Sequence, residues 1–133
     1  MKFLIFGNQL VKQDNLPFQL IPQLKQSFPS IEFITADPIE DLHSYGRDLN
    51  IIDVEITTPE VREIILKTKE DFEKIQLSKL YSMHDFDLGY NLKLLKKINK
   101  IDTVRIICVP SKANKQEVFN QIKSIFLSCK NFN

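Results

Sequence analysis

The stretch LNIIDVEI, residues 49–56, places Asp53 directly between Ile52 and Val54 in an otherwise apolar run. Continuous Ile/Val/Leu runs of this length are the pattern of a strand covered on both faces. A lone carboxylate among Ile51, Ile52 and Val54 is costly to desolvate. It needs a partner, a cation, or a place where the strand emerges.

Outward from this strand the same pattern recurs. KFLIFG (2–7) and IEFITA (31–36) read as buried strands, VREIILK (61–67) as a strand of mixed character, and TVRIICV (103–109) as the clearest of all. Helical patterns lie between them. LPFQLIPQLKQSF (16–28) aligns Leu20, Leu24 and Phe28, although Pro22 removes a backbone donor and predicts a late start or a bend. PIEDLHSYG (38–46) reads as a short helix closed by Gly46. DLGYNLKLLKKINK (87–100) spaces Leu88, Leu92, Leu95 and Ile98 as one stripe. KQEVFNQIKSIFLSCK (115–130) does the same with Val118, Ile122, Ile125 and Cys129. The alternation predicts an α/β protein: a three-layer α/β/α architecture with a mainly parallel twisted sheet of about five strands.

Size and composition agree. The 133 residues, 43% hydrophobic and 26% charged, suit a single domain, 1–133, with one substantial core. A net charge of +1 points to neither a nucleic-acid groove nor an anionic membrane. The apolar run at the N-terminus is too short for a signal peptide or a bilayer span, which predicts a cytoplasmic protein. Cys108 and Cys129 sit in apolar surroundings without metal-type spacing and read as buried and reduced.

In a parallel sheet the loops leaving the C-terminal strand ends meet in a crevice, and ligands bind there. Asn8–Asp14 is the loop after the first strand, Asp53 is near the end of the third, and His84 in YSMHD (81–85) reaches the same rim if a strand precedes it. Each has a plainer account. Asp14 or Asn15 suits the cap of the following helix, and a single histidine is more often structural than a ligand. His43 reads as exposed, and Lys93, Lys96, Lys97 and Lys100 as the solvated side of a helix. A nucleotide is not expected: one glycine in FGNQL replaces the repeated glycines of a pyrophosphate turn, and no GK[ST] loop exists. No G-x-S-x-G elbow supports a serine hydrolase.

GNQLVKQDN (7–15) resembles the opening signature of the nickel–iron hydrogenase maturation endopeptidases, in which Gly-Asn-x-Leu leads to an acidic pair. NIIDVEI (50–56) resembles that family's apolar strand with its single Asp, and SMHDFDLGYNLKLL (82–95) its histidine at the head of a Leu-rich helix. VRIICVP (104–110) is similar to its last strand, and the matches run in the family's order over nearly the whole chain. The resemblance implies an endopeptidase that removes a C-terminal extension from a hydrogenase large-subunit precursor after nickel insertion. It implies Asp14, Asp53 and His84 as both the catalytic and the metal-contacting residues, meeting nickel carried by the substrate.

Carboxylates and an imidazole suit nickel or zinc alike, and three ligands leave positions for a substrate's own donors. A metal-polarised carbonyl and water activated by Asp14 or Asp53 are both open routes to cleavage. Gln13 stands where the family commonly has an acid, and Asn15 where it commonly has glycine. The alternative is a non-proteolytic, metal-dependent binding protein of the same fold. A phospho-acceptor receiver domain, with Asp53 and Lys112 as its Asp and Lys, is disfavoured because Gly7-Asn8 replaces its acidic pair.

Overall fold

Strand β5 (Thr103–Pro110) pairs in parallel with β3 (Asp48–Glu55) along its whole length, from Asp48 against Thr103 to Glu55 against Pro110. In this computed structural model the described residues are 1–6, 16–36, 41–55, 60–74 and 83–128, with backbone only for Glu55 and residues 83–87. β1 (Lys2–Ile5) lies parallel on the other side of β3, and β2 (Glu32–Thr35) parallel outside β1. β4 (Arg62–Leu66) closes the opposite edge, antiparallel to β5. The order is β2-β1-β3-β5-β4. A receiver domain has its strands in the order 2-1-3-4-5, so this topology removes that reading.

Alternate side chains on each strand enter opposite layers. Phe3, Ile5, Ile52, Ile107 and Val109 pack with helices α1 (Leu16–Ser27) and α4 (Lys115–Ser128). Leu4, Leu49, Ile51, Ile106 and Cys108 pack with α2 (Lys69–Glu73) and α3 (Met83–Lys97). The three-layer α/β/α expectation therefore holds. In the first layer the rings of Phe3 and Phe126 stack at 4.9 Å, and Phe28 meets Phe126 edge-on at 4.9 Å. Such ring pairs add roughly 0.5–1.5 kcal/mol each beyond burial.

Several local expectations are corrected. β2 is not covered on both faces: Glu32 and Thr35 are exposed because it is an edge strand. α1 runs unbroken from Leu16, so Pro22 causes no late start, although the Phe18 carbonyl loses its in-helix donor. Of the expected 38–46 helix, the described part, 41–46, holds a 3-10 turn, Leu42–Tyr45, followed by Gly46 at φ 128°. His43 is half-buried, with its Nδ1 out of solvent. Ile98 is 52% exposed: its N–H still bonds the Leu94 carbonyl at 3.0 Å, and its side chain falls on the outer face with Tyr90 and Leu94 before Asn99, at φ 60°, turns the chain. Cys108 is a buried thiol, whereas Cys129 lies outside the described residues. α2 was not expected at all. Thr68 starts it through a reciprocal cap with Asp71.

Candidate functional site

Among the described residues β1 pairs with β3 as far as Ile5 against Ile52, and the last bond between them there runs from the Phe6 N–H to the Ile52 carbonyl at 3.0 Å. On β1's other side the Ala36 N–H still reaches the Ile5 carbonyl at 3.1 Å. The chain leaves β1 toward β2 on one side and returns to β3 on the other, so this end is a topological switch point. Ladder groups alternate in direction along a strand, so the Val54 N–H faces the β1 side, one step beyond that bond. There the carboxylate of Asp53 takes it: Oδ1 accepts the Val54 N–H at 2.8 Å. That bond satisfies a ladder donor and fixes the carboxylate at the opening of the crevice.

Asp53 is the one buried charged side chain among the described residues, at 7% exposure. It shares strand parity with Leu49 and Ile51, which places it on the α3 side of the sheet. Its register partner on β5 is Cys108. That neighbour was read only as core, and the one signal for it was the matching phase of the two apolar runs.

α3 is oriented by its far end. Arg47, just before β3, donates from Nε and Nη2 to the two oxygens of Asp102, just before β5, at 2.9 Å each. The Arg47 Nη2 also donates to the Asn99 side-chain oxygen at 3.0 Å, and Lys96 Nζ donates to the Asp102 carbonyl at 2.7 Å. This clamp holds the C-terminal end of α3 at the N-terminal ends of β3 and β5. Arg47 holds the Asp102 carboxyl below its ordinary value through the side-chain bond first and charge second. The fifteen residues of α3 rise about 22 Å, and eight strand residues span about 26 Å. The first turn of α3 therefore points toward the rim where Asp53 sits.

His84 is the second residue of α3, inside the helix and not before it. The residues that lead into it, 75–82, lie outside the described set, and with them the expectation that a strand precedes it. The backbone of His84 is on the Asp53 side of the sheet, but its side chain lies outside the described set, as does all of Asp14. Phe6 is the last described residue before the segment that holds Asp14, and it ends at the same crevice. Among the described residues no group of three or more His, Cys, Asp or Glu gathers to hold a metal.

Comparison with solved structures identifies this architecture. An E. coli hydrogenase maturating endopeptidase, HybD, superposes with a TM-score of 0.62 at 13% identity, over 96% of this chain and 93% of that one. A [NiFe] hydrogenase maturation protease, HybD from Thermococcus kodakarensis, gives 0.63 at 21% identity, with both chains fully covered. The chain has the fold of the hydrogenase maturation peptidases. A hydrogenase 2 maturation peptidase from a Thaumarchaeota archaeon gives 0.54 at 17% identity, again over both whole chains. No family model and no curated protein matches the sequence. Within the maturation-peptidase fold, Asp53 occupies the strand end beside the switch point, where the α/β rule places a ligand.

Proposed function

We propose that the protein is an endopeptidase acting on a nickel-loaded hydrogenase large-subunit precursor, from which it removes a C-terminal extension. The observation that carries this reading is a buried carboxylate, Asp53, held at the switch point of a fold shared with three hydrogenase maturation peptidases. The ordered resemblance of 7–15, 50–56 and 82–95 to that family supports it independently of the fold.

In this reading Asp14, Asp53 and His84 meet the nickel of the precursor, and the metal belongs to the substrate. Two carboxylates and an imidazole fit nickel, and also zinc, by donor type. The part of the set that can be checked on geometry is Asp53, an anionic side chain already oriented by the Val54 N–H. When bound, the metal would supply Lewis acidity at the scissile carbonyl. The chain's own contribution is to orient the metallated end of the precursor and to offer Asp14 or Asp53 as a base for water. Neither a nucleotide nor a nucleic acid has a role in it. Among the described residues no helix is long and apolar enough to cross a membrane, and we place the protein in the cytoplasm with its precursor.

The direct experiment mixes purified protein with nickel-loaded and nickel-free precursor and follows the C-terminal peptide by mass spectrometry. Loss of the peptide from the nickel-loaded form alone supports the proposal. A folded protein that forms a metal-dependent complex without releasing peptide is instead the non-proteolytic binding protein.

A further inference from the structure

The outer face of α3 carries Tyr90, Leu94 and Ile98, spaced four residues apart and exposed at 65%, 44% and 52%. Leu88, Leu92 and Leu95 on the inner face already fill the core, so this second apolar stripe has no role in holding α3 to the sheet. Beside it, between α2 and α3, lies a cleft of about 250 Å³ lined by Lys69, Lys93, Lys96 and Lys97, with Phe72 and Glu73. Four cations against one anion concentrate here in a chain whose net charge is only +1. Lys96 is already engaged, with its Nζ on the Asp102 carbonyl and 5.3 Å from the Phe72 ring centre. Lys69, Lys93 and Lys97 make no ion pair among the described residues.

We propose that this face of α3 and the adjoining cleft dock an amphipathic helix with an acidic flank, contributed by a partner protein. An apolar stripe spaced by four residues is the complement of another helix's stripe. A flank of Asp or Glu on that helix reaches the lysines of the cleft, while its apolar side covers Leu94 and Ile98. Charge decides between occupants. A second copy of this chain, packed antiparallel by two-fold symmetry, sets each flank against itself and brings Lys93 and Lys97 against their own copies. A lipid surface covers the stripe but does not enter the cleft to meet Lys69 and Lys96. This surface is argued independently of the peptidase reading, since it uses neither Asp53 nor the rim.

The test uses the full chain and fluorescein-labelled helical peptides of about 20 residues, long enough to be helical. One carries a Leu stripe with a Glu flank, and the other the same stripe with a Lys flank; binding is read by anisotropy at low and high salt. The Glu peptide should bind, more weakly as salt rises, and the Lys peptide should not. Leu94→Ala and Lys93→Glu/Lys97→Glu should each weaken binding about tenfold or more, with circular dichroism unchanged, whereas Lys25→Glu on α1 should have no effect. The proposal is overturned if neither peptide binds, if both bind alike, or if the α3 variants bind as well as wild type. Binding to anionic phospholipid vesicles but not to the Glu peptide overturns it in favour of a membrane. Self-association abolished by Leu94→Ala overturns it in favour of a second copy.

Discussion

The Asp53 carboxylate accepts the backbone N–H of Val54, its own neighbour, at 2.8 Å, one step past the last bond between β1 and β3. At this switch point the Val54 N–H has no ladder acceptor among the described residues of β1, and the carboxylate takes it instead. A carboxylate there serves as substitute acceptor and remains a charge at the mouth of the crevice. The two roles can be separated by mutation.

Asp53→Asn keeps an oxygen where Val54 needs one and removes the charge. Its melting temperature should stay near wild type while cleavage of a nickel-loaded precursor falls by about 100-fold or more. Asp53→Ala should lose the activity and, in addition, about 1 kcal/mol of stability from the lost bond. Urea unfolding and a cleavage assay on the two variants measure both. An Asn variant with full activity would leave Asp53 only its backbone role.

Asp14→Ala and His84→Ala should likewise abolish cleavage with little change in melting temperature. If Asp14 merely caps α1, its loss should cost about 1 kcal/mol and leave the chemistry intact. A nickel titration followed by absorbance, wild type against each variant in the presence of precursor, separates these outcomes.

How much of this was legible in the sequence depends on what each segment had to bury. β3 and β5 lie between neighbours on both sides and under helices on both faces, so nearly every side chain is apolar and the run declares itself. Asp53 stood out for the same reason, as the exception in such a run. β2 was misread because four strand residues give too short a pattern to tell one covered face from two. Ile98 was assigned to the core because the stripe was carried one step past Leu95, where a spacing of three brings the side chain round to the exposed side with Leu94. α2 gave almost no periodic signal, with Phe72 its single buried side chain. The pairing of Asp53 with Cys108, and the orientation of α3 by Arg47 and Asp102, are long-range facts with no local signature.

Acid should weaken the clamp at the other end of the sheet. The Asp102 carboxyl is held below its ordinary 3.8 by the bond from Arg47, and that of Asp71 by the backbone N–H groups of Thr68 and Lys67. A carboxyl depressed on folding stabilises the protein above its unfolded value, and that contribution is lost as pH falls below 3.8 through the folded value. The difference in melting temperature between wild type and Asp102→Asn should be constant near neutral pH and shrink below about pH 4. Both side chains are exposed, so the effect should be small and should diminish in salt.

The last prediction concerns α2, whose five residues are too few to form a helix unaided. Its start depends on a reciprocal pair: Thr68 Oγ1 accepts the Asp71 N–H at 3.1 Å, and Asp71 Oδ2 accepts the N–H groups of Thr68 at 3.0 Å and Lys67 at 2.9 Å. Thr68→Ala should cost about 1 kcal/mol, and Thr68→Ser should recover most of it. Because α2 holds the buried ring of Phe72 against the core, its fraying would also loosen one wall of the lysine cleft. Faster hydrogen exchange confined to 69–73 in Thr68→Ala, with Asp71→Asn adding little on top, would show the two side chains acting as one cap. If the two losses simply add, the Thr68 cap and the two carboxylate bonds of Asp71 act separately, and α2 rests on Phe72 more than on its first turn.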